Sequence, residues 1–412
     1  PPRSTDNANS TTRPQAAACG SKQPPTQGKT YFLIAGEASG DLHAANLIAA
    51  LRKCDPAGKF YAYGGDKMRE AGAELLCNYR DIAYMGFVPV MLHFRVILRA
   101  MARCKRQISE ISPDVVILVD YPGFNLSIAE YVKKHTRIPV FYYISPKIWA
   151  WRESRIKNIR RDVDEMFCIL PFETDFYARH SYKVHYVGNP TVDEVDEFKR
   201  HRTATAAKPQ QTEKTIALLA GSRKQEIKDN LRKMCIAAEP FTHKGYKIVV
   251  AAAPSLDAGE YARHIPERML ADGSATIVSG KTYDVLAEAS AALVTSGTAT
   301  LETALFYVPQ VVCYYTAAGR FVSFLRKHLL HVPYISLVNL IVGREVVKEL
   351  VADGMTVENI RRELGYIIED GHKRNAMLDG YRHMAKILGD PGAADNAARQ
   401  MTECLERYDS DK

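Results

Sequence analysis

The strongest constraint on this fold is an alternation that runs twice along the chain. From Lys29, oily runs of strand length ("TYFLIAG", "KFYAYGG", "DVVILVD", "IPVFYYI", "EMFCIL" and "VHYVG") alternate with amphipathic helical patterns such as 41–53 and 125–135. After a polar interval the pattern restarts with "TIALLAG", "YKIVVAAA", "ATIVSG", "AALVTSG" and "QVVCYY". Runs this uniformly apolar suit central parallel strands, which are buried on both faces. Parallel strands need crossover helices, so the class is α/β with two Rossmann-like domains. "YFLIAGEASGD" and "IALLAGSRKQE" open the two halves in the same way: strand, Ala-Gly, small polar residues, helix. Two such domains facing each other form a cleft lined by the strand ends of both.

The expected boundaries follow from shifts in composition. Residues 1–28 are rich in Ser, Thr, Pro, Ala and Gln without hydrophobic periodicity, and are expected to be disordered. Residues 29–190 form the first domain, 191–214 a charged linker and 215–372 the second domain. Residues 373–412 show only helical patterns and are expected to pack back on the first domain. No apolar h-region precedes "AAACGS" around Cys19, so a signal peptide is not expected. No apolar run approaches the ~18 residues needed to span a bilayer. The eight cysteines are scattered without a CxxC pair, which argues against a zinc site or disulfide framework and suits a reducing compartment. A net charge of +8 points to an anionic partner without choosing among nucleic acid, phosphorylated small molecules and membrane surfaces.

Several stretches carry chemistry. "VVILVDYPGFN" places Asp120 where a buried strand ends, the position at which open α/β sheets bind ligands; it also suits a turn aspartate held by local amides. "VVILVD" and "SGKT" (279–282) together imitate an ATPase. A P-loop, however, needs glycine where this chain has Ala275, and "QGKT" (27–30) fails in the same way at Gln23. There is no GxGxxG for a nicotinamide cofactor.

The phosphate candidates lie in the second half. In "ALVTSGTATLE", Ser296, Gly297 and Thr298 join a strand to a helix, where backbone amides can approach an anion. Glu302, one turn on, can accept from a ribose diol; an ordinary capped helix with a solvated glutamate fits the same letters. "LLAGSRKQEI" adds Arg223 beside Gly221 and Ser222, and an arginine fork suits a diphosphate.

In the first half, Glu37, Ser39, Gly40 and Asp41 fill the strand-to-helix loop, where Ser39 or Asp41 could equally cap a helix beginning near Leu42. His43 falls inside that helix and suits a structural role. "VPVMLHFRVILRAMARCKRQ" repeats Val90, Phe94, Ile97, Leu98 and Met101 at helical spacing, with Arg95, Arg99 and Arg103 on a neighbouring stripe. That pattern suits an anionic membrane surface or a core-facing helix with a solvated basic side. "RFVSFLRKHLLH" (320–331) has similar character.

The ordered set "AGEASGD", "VDYPGFN", "SPKIWAWR", "LLAGSR", "TSGTATLE" and "SLVNLIVGREVVKEL" resembles lipid-A-disaccharide synthases over nearly all of 30–400. The resemblance implies a GT-B architecture and an inverting glycosyl transfer with neither metal nor cofactor. It implies UDP-2,3-diacylglucosamine and 2,3-diacylglucosamine 1-phosphate as substrates, a β-1,6-linked disaccharide and UDP as products, and a role in lipid A biosynthesis. By its motifs Asp120 is the base, and Glu37, Ser39, Gly40 and Asp41 belong to the acceptor side. Gly221, Ser222, Arg223, Ser296, Gly297, Thr298, Glu302, Asn339 and Arg344 hold the UDP-sugar. Phe94, Arg95, Arg99 and Arg103 meet the membrane.

The resemblance further implies a cytoplasmic protein held peripherally at the anionic inner-membrane surface, no nucleic-acid partner, and a homodimer with exchanged C-terminal helices. Same-fold rivals are a UDP-N-acetylglucosamine epimerase and the transferase of peptidoglycan synthesis; a non-catalytic UDP-sugar-binding protein is the rival of another class. Two positions depart from the family pattern. Gly123 stands where an acidic residue is frequent, and Asn189 where histidine is usual.

Overall fold

The computed structural model describes residues 28–81, 94–151, 153–205, 214–295, 297–315, 333–369 and 371–410. Two parallel sheets organise the chain. The first contains β1 (Thr30–Ala35), β2 (Lys59–Gly64), β3 (Glu74–Asn78), β4 (Val115–Val119), β5 (Val140–Tyr143), β6 (Glu165–Cys168) and β7 (His185–Tyr186) in the order β3-β2-β1-β4-β5-β6-β7. The second contains β8 (Thr215–Leu219), β9 (Lys247–Ala252), β10 (Ala275–Ser279), β11 (Ala289–Val294), β12 (Gln310–Tyr314) and β13 (Lys348–Val351) in the order β10-β9-β8-β11-β12-β13. The central strands are wholly buried: β1 from Tyr31, β4 throughout and β8 throughout. This explains their continuous rather than alternating hydrophobicity.

Both sheets reverse direction next to their first strand. β1 lies between β2 and β4, and β8 lies between β9 and β11. At such a reversal the loops leaving the two neighbouring strands part to opposite faces and leave a crevice at their carboxyl ends. The registers Ala35↔Val119 and Leu219↔Val294 bring the paired loops out side by side. The Glu37 and Asp120 loops therefore emerge together in one domain, and the Arg223 and Thr298 loops in the other.

The polar stretch expected to be a linker is instead largely helical, Pro190–Thr205. Asn189 starts it: its Oδ1 accepts from the Thr191 amide at 2.9 Å, and Pro190 follows in the first turn, where a missing N–H costs nothing. Inside the charged sequence, Val195 is buried and Phe198 packs on Tyr283 and Phe306 of the second domain. This crossing helix thus touches both domains.

The C-terminal helices divide their packing. Gly371–Leu388 stays on the second domain, where Met377, Tyr381 and Met384 join its core. Only Ala393–Ser410 returns to the first domain, burying Ala397, Ala398, Met401, Cys404 and Leu405 within the core around the helix Ala38–Cys54. Asp193 of the crossing helix accepts from the amides of Gly392 and Ala393, which fixes where this closing helix begins.

The fold also gathers one mixed cluster that sequence spacing did not reveal. Among the described residues, ligand atoms of Glu165, His185 and Cys404 lie within 4.8 Å of one another. Arg407 Nη2 already sits 2.8 Å from the Cys404 sulfur, so a cationic side chain occupies that corner. His185 bonds Glu165 at 2.7 Å, and its pKa is pushed up to about 9 by Cys404 and Glu165. The cluster ties the closing helix to β6 and β7.

Candidate functional site

The backbone leaves β4 in a rare conformation. Asp120 and Tyr121 both have positive φ, 45° and 48°. Two successive non-glycine residues there cost about 1–3 kcal/mol each, so surrounding contacts must impose them. Asn125, fully buried in the next helix (Pro122–His135), donates to the Asp120 carbonyl at 2.7 Å and to that of Val119 at 3.2 Å. Tyr142 Oη donates to the same Asp120 carbonyl at 2.5 Å. Gly36 makes room for the turn, since a Cβ there would lie 2.2 Å from the Tyr121 ring. Asn125, Tyr121 and Tyr142 were not among the residues expected at the site. Asn125 and Tyr121 belong to "VDYPGFN", but their duty is local clamping, which no spacing rule exposes.

This turn presents the Asp120 carboxyl in a desolvated position. Burial raises its pKa, partly offset by the Lys147 cation and by the Tyr121 amide. Glu37 is its neighbour. Burial raises the pKa of Glu37, and the Asp120 charge raises it further, while Arg223 and Lys147 oppose the shift. Glu37 occupies the N-cap position of the helix Ala38–Cys54, yet its side chain makes no capping hydrogen bond. Arg223, in the other domain, acts electrostatically on Glu37, so the two switch points sense each other across the cleft. Lys147, in "SPKIWAWR", was also missed; it follows β5, the strand beside β4.

The other residues of the first loop have different duties. Asp41 is buried, and its carboxylate accepts from the amides of Gly65, Lys67 and Met68. It fastens the β2 loop to the start of the helix Ala38–Cys54. Neither Asp41 nor Ser39 caps the helix, because the helix begins earlier, at Ala38; Ser39 is exposed. Gly40 is a packing glycine, whose Cβ would come to 3.4 Å from that of Ala35. Gly123 lies in open space, with nothing within 4 Å of a Cβ built there.

In the second domain, backbone turns dominate. Gly221 has φ 106°, and a Cβ there would lie 2.4 Å from Glu226 Oε2. Glu226 holds the turn by accepting from the Ser222 amide at 3.2 Å and from Arg223 at 3.1 Å. Gly297, φ 109°, precedes the helix Thr298–Leu305 with open space before it, and Thr298 is exposed at the helix start. Ser296 lies outside the described residues.

Glu302 does not face solvent as a free ribose ligand would. Tyr283 Oη bonds it at 3.3 Å and reaches Glu194 of the crossing helix at the same distance. Burial, then the Glu194 charge, push the Glu302 pKa up to about 7. Beyond Glu194 lies His43 of the first domain at 3.7 Å, with a pKa lowered to about 4 by burial. A neutral imidazole makes no ion pair, and His43 Nδ1 and Glu194 Oε1 are buried without hydrogen-bond partners. The polar chain from Glu302 to His43 joins the domains, and its members come from separate segments, which hid it from a linear reading.

Asn339 has a structural duty of its own. It is fully buried, with Oδ1 accepting from Val346 and Val347 amides and Nδ2 donating to Val347 O and Glu349. Its amide is fully engaged in holding the 343–348 turn, leaving nothing for a nucleotide. Arg344, on that turn, is exposed. Asn189, besides starting the crossing helix, donates to Ile169 O at 3.0 Å.

The helix Phe94–Ile111 is two-faced as expected, although Val90 and residues 320–331 lie outside the described residues. Cys104 and Ile108 are buried, and Arg95, Arg99 and Arg103 are exposed. Leu98 is 45% exposed beside Val96 at 38%, on the arginine side. Arg103 also donates to Leu76 O.

A family described as lipid-A-disaccharide synthetase matches residues 31–401. The chain belongs to the lipid-A-disaccharide synthetase family. Among its relatives, the lipid-A-disaccharide synthase of Myxococcus xanthus is 40% identical over 92% of this chain and 98% of its own length. That of Syntrophus aciditrophicus is 38% identical over 92% and 99%. Solved structures similar in fold include a UDP-GlcNAc 2-epimerase from Neisseria meningitidis bound to UDP-GlcNAc (TM-score 0.62, 12% identity, covering 92% of this chain and 100% of that one). Another is a ugt transferase from Siraitia grosvenorii in complex with UDP (TM-score 0.55, 11% identity, covering 92% and 99%). At such identities the likeness concerns the fold alone. It identifies the paired sheets of this synthetase-family chain as the two-domain GT-B architecture.

Proposed function

We propose that this protein is a lipid-A-disaccharide synthase. It transfers 2,3-diacylglucosamine from UDP to the 6-hydroxyl of 2,3-diacylglucosamine 1-phosphate, releasing UDP. The family match over 31–401 carries the reading, and the site chemistry supports it. Asp120 takes the proton from the acceptor hydroxyl as that oxygen attacks the anomeric carbon from the face opposite the diphosphate. A carboxylate made more basic by burial suits this task. Lys147 keeps it ionised, and Glu37 borders the acceptor. The departing UDP is an anion, stabilised by Arg223, by amides of the 221–223 turn and by the N-terminus at Gly297–Thr298. Arg223 is free to serve because its exposed pair with Glu226 is worth only about 0–1 kcal/mol. Base and leaving group on separate domains let closure align an in-line transfer. The test is incubation of the purified chain with both acylated substrates in the absence of added metal; disaccharide and UDP are expected, and their absence refutes the reading.

Association with the anionic inner-membrane surface is part of the same proposal. No described helix is long and apolar enough to cross a membrane, while Arg95, Arg99 and Arg103 flank exposed Val96 and Leu98. At about 1 kcal/mol per surface cation, replacing the three arginines with serine should weaken binding to anionic vesicles roughly a hundredfold. Unchanged vesicle binding would move the membrane contact elsewhere.

A further inference from the structure

A cavity of about 520 Å³ lies between the domains. Trp149, Phe172 and Phe176 line it from the first domain; Pro333, Tyr334 and Leu340 line it from the second. Its size is that of a small-molecule site. Its place is set by the loop after β5: Trp149 follows by two residues the Lys147 whose charge reaches both Asp120 and Glu37. The cavity thus shares the loop after β5 with Lys147 and takes its aromatic wall from the domain that carries Asp120.

Several of the polar groups around it already have partners. His180 meets Glu153 at 3.0 Å, and the Arg179 guanidinium lies 6.0 Å from the Phe176 ring centre. Trp149 Nε1 donates at 3.1 Å to Glu173, which also accepts from the Leu170 amide. Glu173 is 1% exposed, a costly place for a carboxylate, and the arrangement fixes the indole as part of the wall. Phe172 meets that indole edge-on at 4.9 Å. On the other side, the Asn339 network steadies the helix Leu337–Val342 that carries Leu340. These are preformed walls, apolar along Trp149, Phe172, Phe176 and Leu340, with exposed Asp175 and Arg179 also among the lining.

We propose that this cavity is the subsite for a fatty acyl chain of the acceptor glucosamine. The inference rests on the synthase reading, because that reading supplies an acylated sugar whose 6-hydroxyl lies at Asp120. The acceptor is assigned rather than the donor because the aromatic wall belongs to the Asp120 domain and adjoins Lys147. Because the second domain completes the cavity, a seated chain also favours the closed arrangement of the domains.

The chain has two tryptophans, so Trp151→Phe leaves Trp149 as the single reporter. Titration of this variant with 2,3-diacylglucosamine 1-phosphate brominated on its acyl chains should quench most of the indole emission, with saturation. Adding Leu340→Asp should raise the half-saturation concentration about tenfold or more, with UDP affinity unchanged as the check on folding. Leu340→Met, apolar and similar in volume, should preserve the quenching. Quenching that does not saturate or ignores Leu340→Asp, or that comes equally from a brominated donor, overturns the proposal. The measurement needs no turnover. A chain that makes disaccharide without quenching refutes this subsite alone, whereas saturable quenching without product refutes the synthase reading alone.

Discussion

The two sheets share one strand order, yet their switch points have opposite electrical character. At the end of β4 the first domain places Asp120 in a strained turn with Glu37 beside it, both made more basic by burial. At the ends of β8 and β11 the second domain offers glycine turns, a helix N-terminus and Arg223. On the proposed function, one switch point holds the proton acceptor and the other holds the anion. Doubly wound topology supplies the crevice in both cases, and the loop residues alone decide what it does.

The sharpest way to break this contrast is Asp120→Ala. Loss of a general base should lower kcat by about 10²–10⁴-fold, with UDP affinity unchanged because the anion site lies in the other domain. Near-normal turnover would remove Asp120 from its role. A parallel loss of UDP affinity would show that the two switch points are not separable.

The converse variant, Arg223→Ala, should act on the other half. A charge-assisted hydrogen bond contributes about 1.5–3 kcal/mol, so UDP should bind roughly ten- to a hundredfold more weakly by calorimetry. Because Arg223 also opposes the rise in the Glu37 pKa, the variant should shift the acid limb of the pH–rate profile upward. A profile that stays in place would mean that the cross-cleft influence has no part in turnover.

How much of this was legible in the sequence divides along the same line. Buried parallel strands announce themselves as continuous apolar runs, so both sheets and both switch points could be found. The positions of Asp120 and Arg223 just beyond strand ends were legible too. The duties of Asp41 and Asn339 were not, because a buried polar side chain turned onto backbone amides has the same letter as one turned to a ligand. The crossing helix was hidden by its charge: Val195 and Phe198 bury a narrow stripe within "DEVDEFKRHR". Lys147 and the Glu302–Tyr283–Glu194–His43 chain depend on proximity between distant segments, which periodicity does not encode.

Asn125→Ala tests whether the strained turn belongs to the base. Removing the amide takes its donor from the Val119 carbonyl and leaves the Asp120 carbonyl with Tyr142 alone, at a cost of about 1–3 kcal/mol. Thermal unfolding should register that loss, and kcat should fall as Asp120 relaxes toward an ordinary conformation while UDP affinity holds. A variant that is less stable but fully active would reduce Asn125 to a packing role.

The smallest expected effect concerns Glu302, the carboxylate expected at the ribose. As ribose ligand it must be ionised to accept from the diol, and burial with the Glu194 charge holds its pKa up to about 7. A raised acid pKa keeps the proton to higher pH, so the accepting form is gained above pH 7 and lost below it. UDP affinity should therefore fall on acidification, approaching about tenfold per pH unit well below 7. The nucleotide's own terminal phosphate titrates near pH 6, and Glu302→Gln separates the two contributions. The glutamine variant should bind UDP more weakly at pH 8 and keep only the phosphate's dependence. If its profile matches that of the wild type, Glu302 does not meet the ribose. The carboxylate then belongs with Tyr283 and Glu194 in the joint between the domains, and the anion site consists of backbone amides and Arg223.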